Sequence, residues 1–246
     1  MGRNYLDDIE RRPSPNHSSR HGVKPRMIVL HYTADTGTRA VEFFEKEYYV
    51  DARGRKRRVN ASAHFVVQRD GKIYQMVALD RSAWHAGWDA KTSYLRERLG
   101  IIKPNTSSVG IEIVNAGELN GREGNYYTWF GGAIPDDEVM MHDGRPWQTY
   151  AEPQIVAVAQ LVTRLCGEFG ILRRFMFDGQ WDMDADDEVE EELRGRPVPY
   201  YLPSGQRLSS SRWRDNAGIC GHCHISKAKD DPGPAIELWK GALGIK

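Results

Sequence analysis

The sequence predicts an α/β chain: a single domain with a central mixed β-sheet flanked by helices, plus two long insertions at about residues 118–150 and 173–215. Three observations point there. Apolar runs at Met27–Leu30 and within SSVGIEIVNAG have the length and β-branched content of buried strands. An Asp70-Gly71 pair splits SAHFVVQRDGKIYQMVAL into two β-type runs, a strong hairpin signal. Residues 153–169 place Ile155, Val158, Val162, Leu165 and Phe169 on one helical face, with Pro153 near its start.

Taken in order, residues 1–25 are polar and rich in turn formers, and predict an extended N-terminal arm ahead of a domain over 26–246. The first buried strand, in PRMIVLHYTAD, is followed by a helix over 38–49 and a basic loop, DARGRKRRVN, over 51–60. Beyond the hairpin comes a tryptophan-rich loop, RSAWHAGWDA, and then the second buried strand. Residues 118–150, rich in Gly, Tyr and Trp, predict a long surface loop. Residues 173–215 hold the acidic run DMDADDEVEEEL, whose charges suit a solvated helix face, and then a turn-rich stretch. There is no internal repeat and no low-complexity tract.

Composition narrows the class. A chain of 246 residues with 40% hydrophobic and 10% aromatic content buries a substantial core. Lys+Arg and Asp+Glu are equal at 34 each, so no net positive field draws the chain to nucleic acid. The opening residues lack the apolar core of a signal peptide, and no later run is long enough to span a bilayer, so the chain is expected to be made in the cytoplasm without membrane insertion.

Chemistry concentrates in GICGHCHISKAKDDPG, residues 218–233. Its Cys220-x-x-Cys223 spacing suggests a dithiol oxidoreductase, but such a site needs further strands after it, and here the chain is about to end. All three cysteines, Cys166 included, read as small buried thiols. The histidines are more informative. His31 ends the MIVL strand, His222 ends AGICGH, and Pro232-Gly233 forces a turn able to bring Asp231 back. Two imidazoles and one carboxylate would make an open site for a catalytic metal, although a histidine taken singly is more often structural than a ligand. Within GIEIVN, Glu112 sits among Val109, Ile111 and Ile113, where a carboxylate is costly unless it has a partner or a task.

Five motifs in order carry a resemblance: IVLHYTAD, SAHFVVQRDGKIYQ, AWHAG, SVGIEIVN and GH followed by KxDPG, with SPNHSSR ahead of them. Together they resemble the type 2 N-acetylmuramoyl-L-alanine amidases, zinc peptidoglycan amidases related to amidase-type phage lysozymes and peptidoglycan recognition proteins. The resemblance implies that family's fold and makes 26–246 a zinc amidase catalytic domain. It implies one Zn2+ per chain, held by His31, His222 and Asp231, with Glu112 and Lys229 as catalytic residues. The loop between His222 and Asp231 is one residue shorter than the common pattern, which sets Lys227 and Asp230 beside Lys229 and Asp231. The Lys-x-Asp-Pro-Gly spacing favours Lys229 and Asp231. His224 stays an alternative ligand, on the same strand face as His222 if that strand continues.

The same resemblance gives His64, Trp84, His85 and Asn115 a part in shaping the cleft. His85 would donate to substrate or to a group behind the ligands, or else be structural. Trp84 and Trp88 would stack on sugar or peptide, or serve as packing plugs. The implied reaction is hydrolysis of the amide between the lactyl group of N-acetylmuramic acid and L-alanine, in peptidoglycan or muropeptides. The expected setting is a lytic, endolysin-type role on the bacterial wall, ahead of muropeptide recycling. A non-catalytic peptidoglycan-binding module is the other reading. Related binding proteins lack one or more zinc ligands, and here all three are present.

Overall fold

The buried runs converge on one mixed sheet. The computed structural model describes residues 4–87, 104–176, 218–226 and 228–245. In chain order its first strands are β1 (Glu10–Arg11), β2 (His17–Ser19), β3 (Met27–Tyr32), β4 (Tyr48–Val50), β5 (Lys56–Arg58), β6 (Phe65–Val67), β7 (Ile73–Gln75) and β8 (Arg81–Ala83). Then come β9 (Ser108–Ile113), β10 (Asn120–Arg122), β11 (Asn125–Tyr127), β12 (Ala133–Ile134), β13 (Val139–His142), β14 (Arg145–Gln148) and β15 (Gly218–Gly221).

The main sheet runs β1-β7-β6-β9-β3-β15. β15, β3, β9 and β6 are mutually parallel, and the hairpin partner β7 is antiparallel to β6. Parallel strands are covered on both faces, which explains why MIVL and VGIEI are almost unbroken apolar runs. Side-chain alternation separates the two faces: Phe65 and Val67 join the main core, whereas Val66 joins a second cluster with Val41, Phe44 and Met76.

The helix Glu152–Phe169 covers the first face, with Val158, Val162 and Leu165 fully buried. Gln154 secures its start. Its side-chain carbonyl accepts from Ala151 N–H at 3.1 Å, and its amide donates to Val114 O at 2.8 Å, tying the helix to the end of β9. Gly170, left-handed at φ 69°, ends it. The helix Leu238–Ala242 seats Trp239 against Tyr150, with ring centroids 4.5 Å apart.

Three local expectations change. Residues 38–49 give only a short helix, Arg39–Phe44, after which β4 and β5 form a hairpin where a basic loop was expected. Tyr48-Tyr49-Val50 has strand propensity, and Asp51 closes the turn by accepting from the backbone N–H groups of Arg53 and Arg55. The segment 118–150 is not a loop but a three-stranded sheet, β10-β11-β12, followed by the hairpin β13-β14. Asp143-Gly144, with φ values of 49° and 72°, is the two-residue turn that joins that hairpin.

Residues 4–25, expected as an arm, are part of the packed body. β1 extends the main sheet beside β7, and Leu6 is in the main core. Arg20 is buried by donating to the carbonyls of Leu79, Thr106 and Ser108, so its polarity disguised its position. The acidic run of the second insertion lies outside the described residues.

The Asp70-Gly71 turn also touches the long helix. Gly71 has φ 85°, and a Cβ there would stand 2.8 Å from the Pro153 carbonyl oxygen. Gly71→Ala is expected to lose about 1–3 kcal/mol in urea denaturation. Gly54→Ala has comparable backbone strain (φ 73°) but open space around it, and should lose less.

Candidate metal centre and its cleft

Strand register assembles the site. β3 pairs with β9 so that His31 lies opposite Glu112, and β6 brings Val66 onto the same rung. Neighbours on one rung point to the same side, so His31 and Glu112 face away from the long helix. β15 pairs Gly221 with Leu30, which carries the next residue, His222, to the level of His31. The chain then turns through His222–His224 and returns, with Cys223 N–H donating to Asp231 O at 2.9 Å.

The result is a tight group. His31 Nδ1 lies 2.7 Å and His222 Nδ1 3.2 Å from the same Asp231 oxygen, Oδ2. One donor atom from each residue falls within 4.8 Å of the others, and all three residues are buried. Burial pushes His31 down to about 4, against the opposing pull of the adjacent Asp231 carboxylate, so the imidazole is neutral at physiological pH. Burial alone would raise the Asp231 carboxyl, but His222 and His31 hold it well below the usual range. Two imidazoles and an ionised carboxylate, open to a cleft on one side, suit a divalent metal that prefers nitrogen and oxygen donors.

Glu112 stands beside this group. Its Oε2 is buried without a hydrogen-bond partner among the described residues. Burial and then the Asp231 charge push its carboxyl well above the usual range, with Lys229 opposing. Lys229 is exposed at the cleft, on the turn where its N–H donates to Ser226 O at 3.2 Å.

Several sequence alternatives are resolved. Asp230 accepts from the Tyr32 hydroxyl at 2.7 Å, leaving Asp231 to face the imidazoles. His224 turns its Nδ1 to the Gly221 N–H at 3.0 Å and is not in the metal group. Cys220 and Cys223 are fully buried thiols, neither of them in a disulfide.

The cleft encloses about 820 Å³, with Trp84 and His85 among its lining residues. Two other expected cleft residues lie elsewhere. His64 is fully buried, takes the Gly110 N–H on Nδ1 and touches Arg20. Asn115 is buried, donating to Gln148 O and Thr149 O and accepting from Gly117 N–H, so it braces the first insertion. Both are polar groups held by backbone, which motif position alone does not distinguish from cleft residues. Trp88 and Lys227 lie outside the described residues.

The structure adds Trp129, Phe130 and Arg39 to the cleft wall. Trp129 is 69% exposed, yet its indole N–H is fixed to Ala34 O at 3.0 Å, and the Arg39 guanidinium lies over the Phe130 ring. The aromatic run NYYTWF was the available signal for this wall.

The family model described as N-acetylmuramoyl-L-alanine amidase matches residues 21–234. This chain belongs to that amidase family. Among curated relatives, the 1,6-anhydro-N-acetylmuramyl-L-alanine amidase AmpD of Salmonella typhimurium is 28% identical over 140 residues, 50% of this chain and 66% of that protein. AmpD of Escherichia coli is 26% identical over the same length, 68% of that protein. The chain thus spans about two thirds of these relatives. A crystal structure of a selenomethionine AmpD derivative superposes with a TM-score of 0.55 at 19% identity, covering 99% of this chain and 98% of that one. The fold is therefore that of the amidase family.

The buried Glu112 carboxyl predicts a stability cost that depends on pH. Its folded pKa is raised, so its penalty grows as pH rises above the unfolded value of about 4.3 and is absent below it. In chelated protein, Glu112→Gln should gain about 1–2 kcal/mol at pH 7.5 and nothing near pH 4. Thermal melts across that range test this, and equal melting of the two proteins at pH 7.5 would refute it.

Proposed function

We propose that this chain is a zinc-dependent amidase cleaving the bond between the lactyl group of N-acetylmuramic acid and L-alanine. One observation carries the reading: His31, His222 and Asp231 converge at an open cleft beside Glu112, whose buried Oε2 has no hydrogen-bond partner among the described residues. These three residues would hold one zinc ion. When bound, zinc supplies Lewis acidity, polarising the amide carbonyl and acidifying water.

The remaining work falls to the chain. Glu112 takes the proton of the attacking water and returns it to the departing amine, and its raised pKa suits the second transfer. Lys229 faces the same space from the cleft rim and stabilises negative charge developing on the carbonyl oxygen. The buried metal group holds its ligands in place before substrate arrives. A binding module without catalysis would need neither the buried carboxyl nor the lysine.

For substrate size, the names of the curated relatives specify 1,6-anhydro-N-acetylmuramyl-L-alanine. That favours soluble muropeptides over the wall-lytic role expected from sequence. Trp129, fixed and exposed on the insertion, offers a flat face to a sugar ring or peptide.

Chelation should abolish release of L-alanyl peptides from anhydro-muropeptide, and zinc should restore it. His222→Ala should lose both zinc and activity, Glu112→Gln only activity, and Cys220→Ala/Cys223→Ala neither. Full turnover by zinc-free protein would refute the reading. Assays on intact sacculi beside soluble anhydro-muropeptide decide the substrate, with faster cleavage of the soluble form expected. Trp129→Ala should raise KM several-fold while leaving kcat within about twofold, as loss of uniform binding does.

A further inference from the structure

Behind His31 lies a buried chain of polar groups that the reaction itself does not use. His31 Nε2 is 2.9 Å from His85 Nδ1, His85 Nε2 is 3.1 Å from Ser108 Oγ, and Ser108 Oγ is 2.6 Å from Pro104 O. The far end sets its direction. A carbonyl can only accept, so the Ser108 hydroxyl proton goes to Pro104 O, and Ser108 Oγ is left to accept from His85 Nε2–H. A neutral imidazole protonated on Nε2 accepts on Nδ1, so His31 must donate from Nε2. The other nitrogen of His31, Nδ1, is then bare, 2.7 Å from an Asp231 oxygen that is also an acceptor. Two acceptors this close call for a cation.

We propose that His85 and Ser108 are positioning residues that hold His31 in its Nε2–H tautomer and thereby aim its Nδ1 lone pair at the metal position shared with His222 and Asp231. The packing is built for this. The Asn105 side-chain carbonyl accepts from the backbone N–H groups of His85 and Ala86 at 3.1 and 2.7 Å. The His85 ring lies directly over Gly110, where a Cβ would come within 2.4 Å of its Cγ. This also assigns a reason for the glycine inside SVGIEI. Ser108 is fully buried, and the His85 and His31 rings meet edge-on with centroids 5.1 Å apart.

The inference rests on the proposed function only in taking His31 as a zinc ligand. Its test is zinc affinity of the full chain by chelator competition, with thermal melting to confirm folding. Ser108→Ala, His85→Leu and Gly110→Ala should each weaken zinc about 10-fold or more, the usual effect of losing a group that orients a metal-bound histidine. His85→Gln, whose side-chain carbonyl can accept from His31 Nε2–H without Ser108, should recover most of the affinity. Nitrogen-15 spectra of the zinc-loaded wild type should show the His85 proton on Nε2. Unchanged affinity in Ser108→Ala and His85→Leu, or a His85 proton on Nδ1, overturns the proposal while leaving the amidase reading intact. Unchanged affinity in His31→Ala overturns both.

Discussion

The site depends on the register of three parallel strands. β3, β9 and β15 are aligned so that His31, Glu112 and, one residue past its strand, His222 reach one level on one face of the sheet. A slip of one residue in either pairing would turn its functional side chain into the opposite core. That core prevents the slip. Leu30, Val109, Ile111 and Ile113 are fully buried, and the helix Glu152–Phe169 packs Val158, Val162 and Leu165 into the same cluster. Hydrophobic burial on one face therefore sets the geometry of polar chemistry on the other.

The metal group concentrates acceptors. Asp231 is ionised between two imidazoles, and Glu112 sits nearby with its carboxyl raised by burial and by the Asp231 charge. Such a cluster is unfavourable unless a cation joins it, as the proposed zinc would. The surroundings are firm rather than adaptable. Tyr32 engages Asp230, the His224 ring receives a backbone N–H, and His85 is wedged over Gly110. Each contact removes one alternative arrangement of the ligands.

Around this floor, the first insertion supplies a wall. Its small sheets are anchored by Asn115 and by Gln148, whose side-chain carbonyl accepts from Ala116 N–H at 2.8 Å. Trp129 reaches back from them to Ala34, next to the strand that carries His31. The wall is thus tied to the end of the His31 strand on one side and to the insertion's own hydrogen bonds on the other. In the proposed reaction, a cleft bounded by such an aromatic edge would select substrates by shape as well as by the scissile bond.

The sequence was enough for the elements whose signals are local. The buried strands around His31 and Glu112, the Asp70-Gly71 hairpin, the long helix and the ordered motifs of the amidase family could all be read from neighbouring residues. The grouping of His31, His222 and Asp231 was implied by that same family resemblance, and the fold brings the three side chains together. Tertiary structure decided whatever depends on partners distant in sequence. It separated Asp231 from Asp230 through Tyr32, and moved His64 and Asn115 from the cleft into backbone-bonded cores. It turned a supposed loop into a wall and drew the polar N-terminal segment into the sheet. A polar side chain looks the same in sequence whether it faces substrate or satisfies a buried carbonyl. Only the folded chain says which hydrogen bond it makes.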